Sequence, residues 1–97
     1  MKQASRRQSH QKYRKIVKKN RALVYECLPK LNMHPVLAKG GIGPRLLDGD
    51  YIYFVHNENQ VEMQMKLSVK RLYKEKEIIK MAKKSLLLAI ADEFIEL

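Results

Sequence analysis

Lys2, Arg6, Arg7, Lys12, Arg14, Lys15, Lys18, Lys19 and Arg21 put nine cations into the first 21 residues, with no aspartate or glutamate among them. Ammonium and guanidinium groups at that density neutralise phosphate, giving steep salt dependence without a choice of sequence. The phosphate of DNA, RNA or lipid would serve, and so would an acidic protein surface. The competing reading is a solvated face that keeps the chain in solution. Lys70, Arg71 and Lys74 open a second basic segment that runs on through Lys76, Lys80, Lys83 and Lys84. Tyr13, Tyr25 and Tyr73 lie among these cations, where aromatic rings stack on bases in nucleic-acid binders. Helical spacing reads them instead as core residues, Tyr25 and Tyr73 above all.

Three other groups of residues bear on chemistry. Gly43-Pro44, inside Gly40-Gly41-Ile42-Gly43-Pro44-Arg45, is the kind of exposed loop bond that exchanges slowly between cis and trans and that a cyclophilin-type prolyl isomerase accepts. A plain turn explains it as well. Cys27, His34 and His56 are too few and too widely spaced for a structural zinc site. Asp48 or Asp50 before one strand, with Glu62 and Gln64 on the next, is loosely similar to the metal-holding side chains of a metal-dependent nuclease. However, Glu62 alternates onto the wet side of its segment, and the two aspartates suit a turn. No nucleophile, base and oxyanion donor can be assembled, so the expectation is a protein that is not an enzyme and that needs no cofactor or metal.

The elements that position these groups follow from hydrophobic periodicity. Tyr13, Ile16, Val17, Leu23, Val24, Cys27 and Leu28 recur at helical spacing, predicting an amphipathic helix over 11–28 with Ser9 as N-cap and Pro29 as its limit. Met1–His10 has Ala4 as its one apolar anchor and reads as a basic flexible arm, leaving 11–97 as one small α+β domain. Residues 29–50 hold all three prolines and all four glycines and read as a connector. Tyr51–Val55 is rich in aromatic and β-branched residues. From Val61 to Val69 apolar and polar residues alternate strictly, so the spacing predicts a β-hairpin over 51–68. From about Val69 the period lengthens into a long C-terminal helix, with Ser85 marking a break. Leu86–Leu97 reads as core or as contact surface. The order is helix, Gly/Pro connector, β-hairpin, long helix: an α+β chain.

The net charge is +10, concentrated at the front, whereas residues 85–97 carry Asp92, Glu93 and Glu96 and no base. The apolar fraction of 45% is too high for a fully disordered chain. One cysteine rules out an internal disulfide and fits a reducing compartment. The longest strongly apolar run, Leu86–Ala91, is far short of the roughly 20 residues that span a bilayer, and the basic start is not followed by a signal-type apolar stretch. The expectation is a cytoplasmic protein that does not use a membrane.

A compact domain, a basic start running from Ser5-Arg6-Arg7 through Arg14-Lys15 to Lys18-Lys19, and no enzyme motif make the chain resemble the lambdoid-phage anti-RecBCD proteins in size and general character. The resemblance implies a bacteriophage inhibitor or modulator that works in the host cytoplasm. It would bind a host DNA-processing complex, the RecBCD helicase-nuclease, and redirect it toward DNA recombination. No residue is carried over by correspondence. Under this reading Leu87, Leu88, Phe94 and Leu97 would enter a groove on the host subunit. The basic arm would reach acidic surface or the DNA path, and the Gly43-Pro44 loop would meet a host prolyl isomerase. Two alternatives stay open. One is a sequence-tolerant DNA- or RNA-binding protein acting through Arg6, Arg7, Lys12, Arg14, Lys15, Lys18, Lys19, Arg21, Lys70, Arg71 and Lys74. The other is a subunit of a larger ribonucleoprotein, with Met1–Arg21 ordered against RNA.

Overall fold

A computed structural model describes residues 2–37, 39, 41–42 and 49–95, with side chains described over 13–37, at Lys39 and over 49–91. The Gly43-Pro44 loop, Asp48 and Leu97 lie outside the described residues. Helix α1 (Lys2–Cys27) leads into a 3-10 turn (Leu28–Leu31), strands β1 (Met33–Pro35), β2 (Gly41–Ile42), β3 (Asp50–His56) and β4 (Glu62–Leu67), and helix α2 (Glu75–Ile95). The helix–connector–hairpin–helix order expected of the sequence is the order observed.

Three boundaries differ from expectation. Helix α1 begins at Lys2, not near Gln11, and Ser9 stands inside it rather than capping it. Nothing in 2–10 breaks a helix. Gln, Ala, Arg and Lys are good helix formers, and there is no glycine or proline before Pro29. Pro29 does end the α-helix, and the chain tightens into the 3-10 turn. Asn32 then turns the chain with a left-handed φ of 59°, its N–H donating to Pro29 O at 3.1 Å.

The connector is not without regular structure. Both β1 and β2 pair antiparallel with one edge of β3, β1 against Phe54–His56 and β2 against Asp50–Tyr51. β4 takes the other edge, with Ile52 opposite Met65 and Phe54 opposite Met63. The alternation read from the sequence is realised: every second residue of β3 and β4 is buried. Ile52, Phe54, Met63, Met65 and Leu67 form the inner side of the sheet. Val24, Cys27 and Leu28 of the first helical segment and Ile78 and Ala82 of α2 cover it.

The long helix starts at Glu75, not Val69, because residues 71–73 are held by α1 instead. Asn20, only 2% exposed, donates from Nδ2 to Arg71 O at 2.9 Å and accepts the Tyr73 N–H on Oδ1 at 2.9 Å. Backbone groups satisfied in this way are withheld from a helix ladder. The helix proper is then started by Glu77, whose Oε1 accepts the Lys74 N–H at 3.1 Å in a capping-box arrangement. Ser85 makes no break, since α2 is continuous for 21 residues. The result is elongated. The radius of gyration is 15.2 Å, against about 12.5 Å for a compact chain of this length.

Candidate phosphate-binding surface

On α1 the buried positions are Val17, Asn20, Val24 and Cys27, spaced three or four apart along one side. Arg14, Lys15, Lys18 and Lys19 are exposed on the rest of the helix surface. Arg7 precedes Arg14 by two turns of the same helix. Lys12 and Arg6 belong to the same helix, their side chains lying outside those described. On α2 the side opposite buried Ile78 and Ala82 carries Lys76, Lys80 and Lys83, with Lys84 flanking them. Lys70 and Lys74 are exposed in the segment before α2.

Two of the expected phosphate-binding cations are held within the fold. Arg21 grips Asp50 with two bonds, Nε to Oδ2 at 2.8 Å and Nη2 to Oδ1 at 2.5 Å. Asp50 is 1% exposed, so this pair closes an otherwise uncompensated buried charge. The hydrogen bond to Asp50 holds the Arg21 guanidinium above its ordinary pKa. Arg71 stacks on the Tyr73 ring, 3.8 Å from its centroid, and donates to Glu77 at 2.9 and 3.3 Å. The same contact holds the Glu77 carboxyl below its usual range, helped by the Lys74 N–H.

Lys30–Glu75 at 2.8 Å and Lys39–Glu62 at 2.9 Å complete the ion pairs among the described residues. Glu62, Glu75, Glu77 and Asp50 are therefore each taken up by a cation outside the main helical surfaces or at a helix end. Among the described side chains, Arg14, Lys15, Lys18 and Lys19 of α1 and Lys76, Lys80, Lys83 and Lys84 of α2 have no carboxylate in ion-pair contact.

The tyrosines divide. Tyr73 is structural: its hydroxyl oxygen accepts the Ser68 N–H at 2.7 Å. Tyr13 is half-buried, whereas Tyr25, expected in the core, is 38% exposed, because it stands one position past Val24 and off the buried stripe of α1. The nuclease-like carboxylates are not brought together. Asp50 faces the core side of the hairpin and Glu62 the outer side, and each is paired to its own cation. Cys27 is in the core, where burial pushes its thiol pKa up. His34 bonds Asn57 Oδ1, and His56 Nδ1 accepts the Asn59 N–H at 3.3 Å. Among the described residues no three His, Cys, Asp or Glu side chains stand together, and no helix is long and apolar enough to cross a membrane.

Leu87 and Leu88 of the expected partner contact are exposed on α2. Phe94 lies further along the same helix. Sequence reasoning missed Asn20, and it read Asp50 as a turn residue where it opens β3 and pairs with Arg21. Asn20 had a visible signal, since it stands on the apolar stripe between Val17 and Val24, where a polar side chain must find a partner. No family model matches the chain, and no curated protein or solved structure matches it either.

Proposed function

We propose that the protein binds nucleic acid without sequence preference, by laying the cations of α1 and the lysines of α2 against phosphate. The observation that carries this reading is the separation of its charges. Of the described acids, Asp50, Glu62, Glu75 and Glu77 are neutralised by Arg21, Lys39, Lys30 and Arg71, leaving Glu26 and Glu58 without a cation in ion-pair contact. The described cations of both helix surfaces are left over, and the sequence adds Arg6, Arg7 and Lys12 along the same α1 helix. Lysine and arginine on rigid helices neutralise phosphates by displacing condensed counterions, which requires no base contact. Tyr25, exposed on α1, adds a ring on which an unpaired base can stack.

A second reading is docking onto a host DNA-processing complex, RecBCD, in the manner of the anti-RecBCD proteins. Leu87 and Leu88 beside Lys83 and Lys84 favour it, since an apolar strip edged by cations fits a groove with an acidic rim. Neither reading includes a catalytic step. A tagged pull-down from bacterial lysate, with and without nuclease, separates them. Partners that disappear with nuclease support nucleic-acid binding. A stoichiometric helicase-nuclease that survives nuclease supports docking and overturns the first reading.

A further inference from the structure

We infer that β4 pairs antiparallel with β4 of a second copy of this chain, across its free edge, with the two-fold axis at Gln64. Among the described residues β3 is the one strand hydrogen-bonded to β4, so the other edge of β4 is open. The direction of its backbone groups follows from bonds on either side of β3. His56 N–H donates to Val61 O at 3.3 Å, and Val36 N–H donates to Tyr53 O at 2.8 Å. His56, Phe54, Ile52 and Asp50 therefore turn their N–H and C=O toward β4, whereas Tyr53 and Val55 turn theirs toward β1. In register with them, Met63, Met65 and Leu67 bond to β3, and Glu62, Gln64 and Lys66 present N–H and C=O outward. An edge of that kind is a template for another strand. β4 carries no proline, and its register against β3 is unbroken from Glu62 to Leu67, so no bulge bends the edge away.

Charge selects the occupant and the register. Glu62, Gln64 and Lys66 are all exposed and all on the outer side of the sheet. Antiparallel pairing about Gln64 sets Gln64 against Gln64, and Glu62 of each copy against Lys66 of the other. The facing positions are the ones whose backbone groups point outward, so each facing pair exchanges two hydrogen bonds, and opposite charges stand across both flanking pairs. Sliding by two residues breaks the match. One way sets Glu62 against Gln64 and Lys66 against Gln60; the other sets Lys66 against Gln64 and Glu62 against Ser68. A lysine on an edge strand ordinarily keeps other strands away. Here Lys66 finds its carboxylate on a second copy of the same strand. Neither charge is used up within one copy. Lys39 bonds Glu62 through Oε1 at the surface, leaving Oε2, and Lys66 lies 5.6 Å from the Tyr51 ring centroid with no described carboxylate in ion-pair contact. The seam is one short strand, about 20 Å long, below the area of tight dimers. Association is therefore expected at micromolar rather than nanomolar concentration.

The test is sedimentation equilibrium of the full chain, freed of nucleic acid, from about 10 to about 500 μM. The expected mass rises from 11.4 kDa toward twice that value. Gln64→Pro removes the N–H at the two-fold axis, which the β3 ladder does not use. That variant should keep the circular dichroism spectrum of the original chain and lose association across the range. Lys66→Glu sets like charges across both flanking pairs and should weaken association by about tenfold. Glu62→Lys should do the same. A one-to-one mixture of these two charge variants should associate about as well as the original chain, because each then meets its opposite. Recovery in the mixture also shows that both variants fold, and it decides the question should the proline variant fail to fold. A chain that stays at 11.4 kDa throughout overturns the inference and leaves the edge to an extended segment of a different protein. A dimer that a folded Gln64→Pro chain still forms overturns pairing through β4. A dimer unmoved by either charge variant overturns the register about Gln64.

Discussion

Asn20→Ala should destabilise the fold by about 3 kcal/mol, a large effect for one amide. The side chain bridges α1 to the segment before α2 with two bonds of 2.9 Å, to Arg71 O and from the Tyr73 N–H. Truncation leaves both backbone groups without their partner. A buried unsatisfied group costs about 1–3 kcal/mol. The Tyr73 N–H, on a half-buried residue, is assigned about 2 kcal/mol, and the Arg71 carbonyl, on an exposed residue within reach of water, about 1 kcal/mol. A chain of this length has on the order of 5–15 kcal/mol in all, so the loss is a substantial share. Equilibrium urea unfolding followed by far-UV circular dichroism reads it directly. With a slope of about 1 kcal/mol per molar urea, the midpoint should fall by about 3 M. Asn20→Asp separates donor from acceptor. It keeps an acceptor for the Tyr73 N–H but sets a carboxylate against the Arg71 carbonyl. Relative to the original chain at each pH, that variant should recover stability as its carboxyl protonates and becomes a donor. A loss below about 1 kcal/mol for Asn20→Ala would refute the reasoning, because the start of α2 would then be set by something other than this clamp.

Other outcomes follow from single residues. Gly49 sits at φ 117°, and a Cβ there would meet Leu67 O at 2.9 Å. Gly49→Ala should lower stability by about 2–3 kcal/mol in the same urea assay, combining left-handed strain with a backbone clash. Arg21→Met strands the Asp50 carboxylate at 1% exposure and should lose about 3 kcal/mol, whereas Arg21→Met/Asp50→Leu together should regain most of it. Glu77 has its pKa lowered from 4.5 by Arg71 and the Lys74 N–H, so its contribution is present above the unfolded value and lost as pH falls through the folded one. Glu77→Gln should therefore flatten the acid limb of the thermal-stability profile below about pH 4.5 while leaving its alkaline limb in place.

Much of the architecture was legible because its signals are local. Strict alternation over Val61–Val69 set which side of β4 is buried, and the apolar stripe from Tyr13 to Cys27 set the buried side of α1. What stayed hidden depends on residues far apart in the chain. Asn20 meets Arg71 and Tyr73 from more than 50 positions away, so the true start of α2 leaves no trace in the periodicity around Val69. β1 and β2 exist because the edge of β3 offers them partners, not because Met33–Pro35 or Gly41–Ile42 has strand character. The start of α1 was obscured for a different reason: a helix of polar good formers carries no apolar period to read. The basic character of the surface was plain from composition. That Arg21 and Arg71 belong to the fold was not, because Asp50 reaches Arg21 only through the tertiary structure and Glu77 reaches Arg71 only once α2 starts at Glu75.

The most direct measurement is the salt dependence of binding to a labelled duplex of arbitrary sequence, read by fluorescence anisotropy. Arg14, Lys15, Lys18 and Lys19 on α1 alone supply about four phosphate contacts, so log K against log salt should fall with a slope of about −3 to −4 or steeper, alike for unrelated sequences. Lys15→Glu/Lys18→Glu/Lys19→Glu should remove about three units of that slope and weaken binding more than tenfold at low salt. A slope near zero, or a triple variant that binds like the original chain at low salt, would contradict nucleic-acid binding through these helix surfaces.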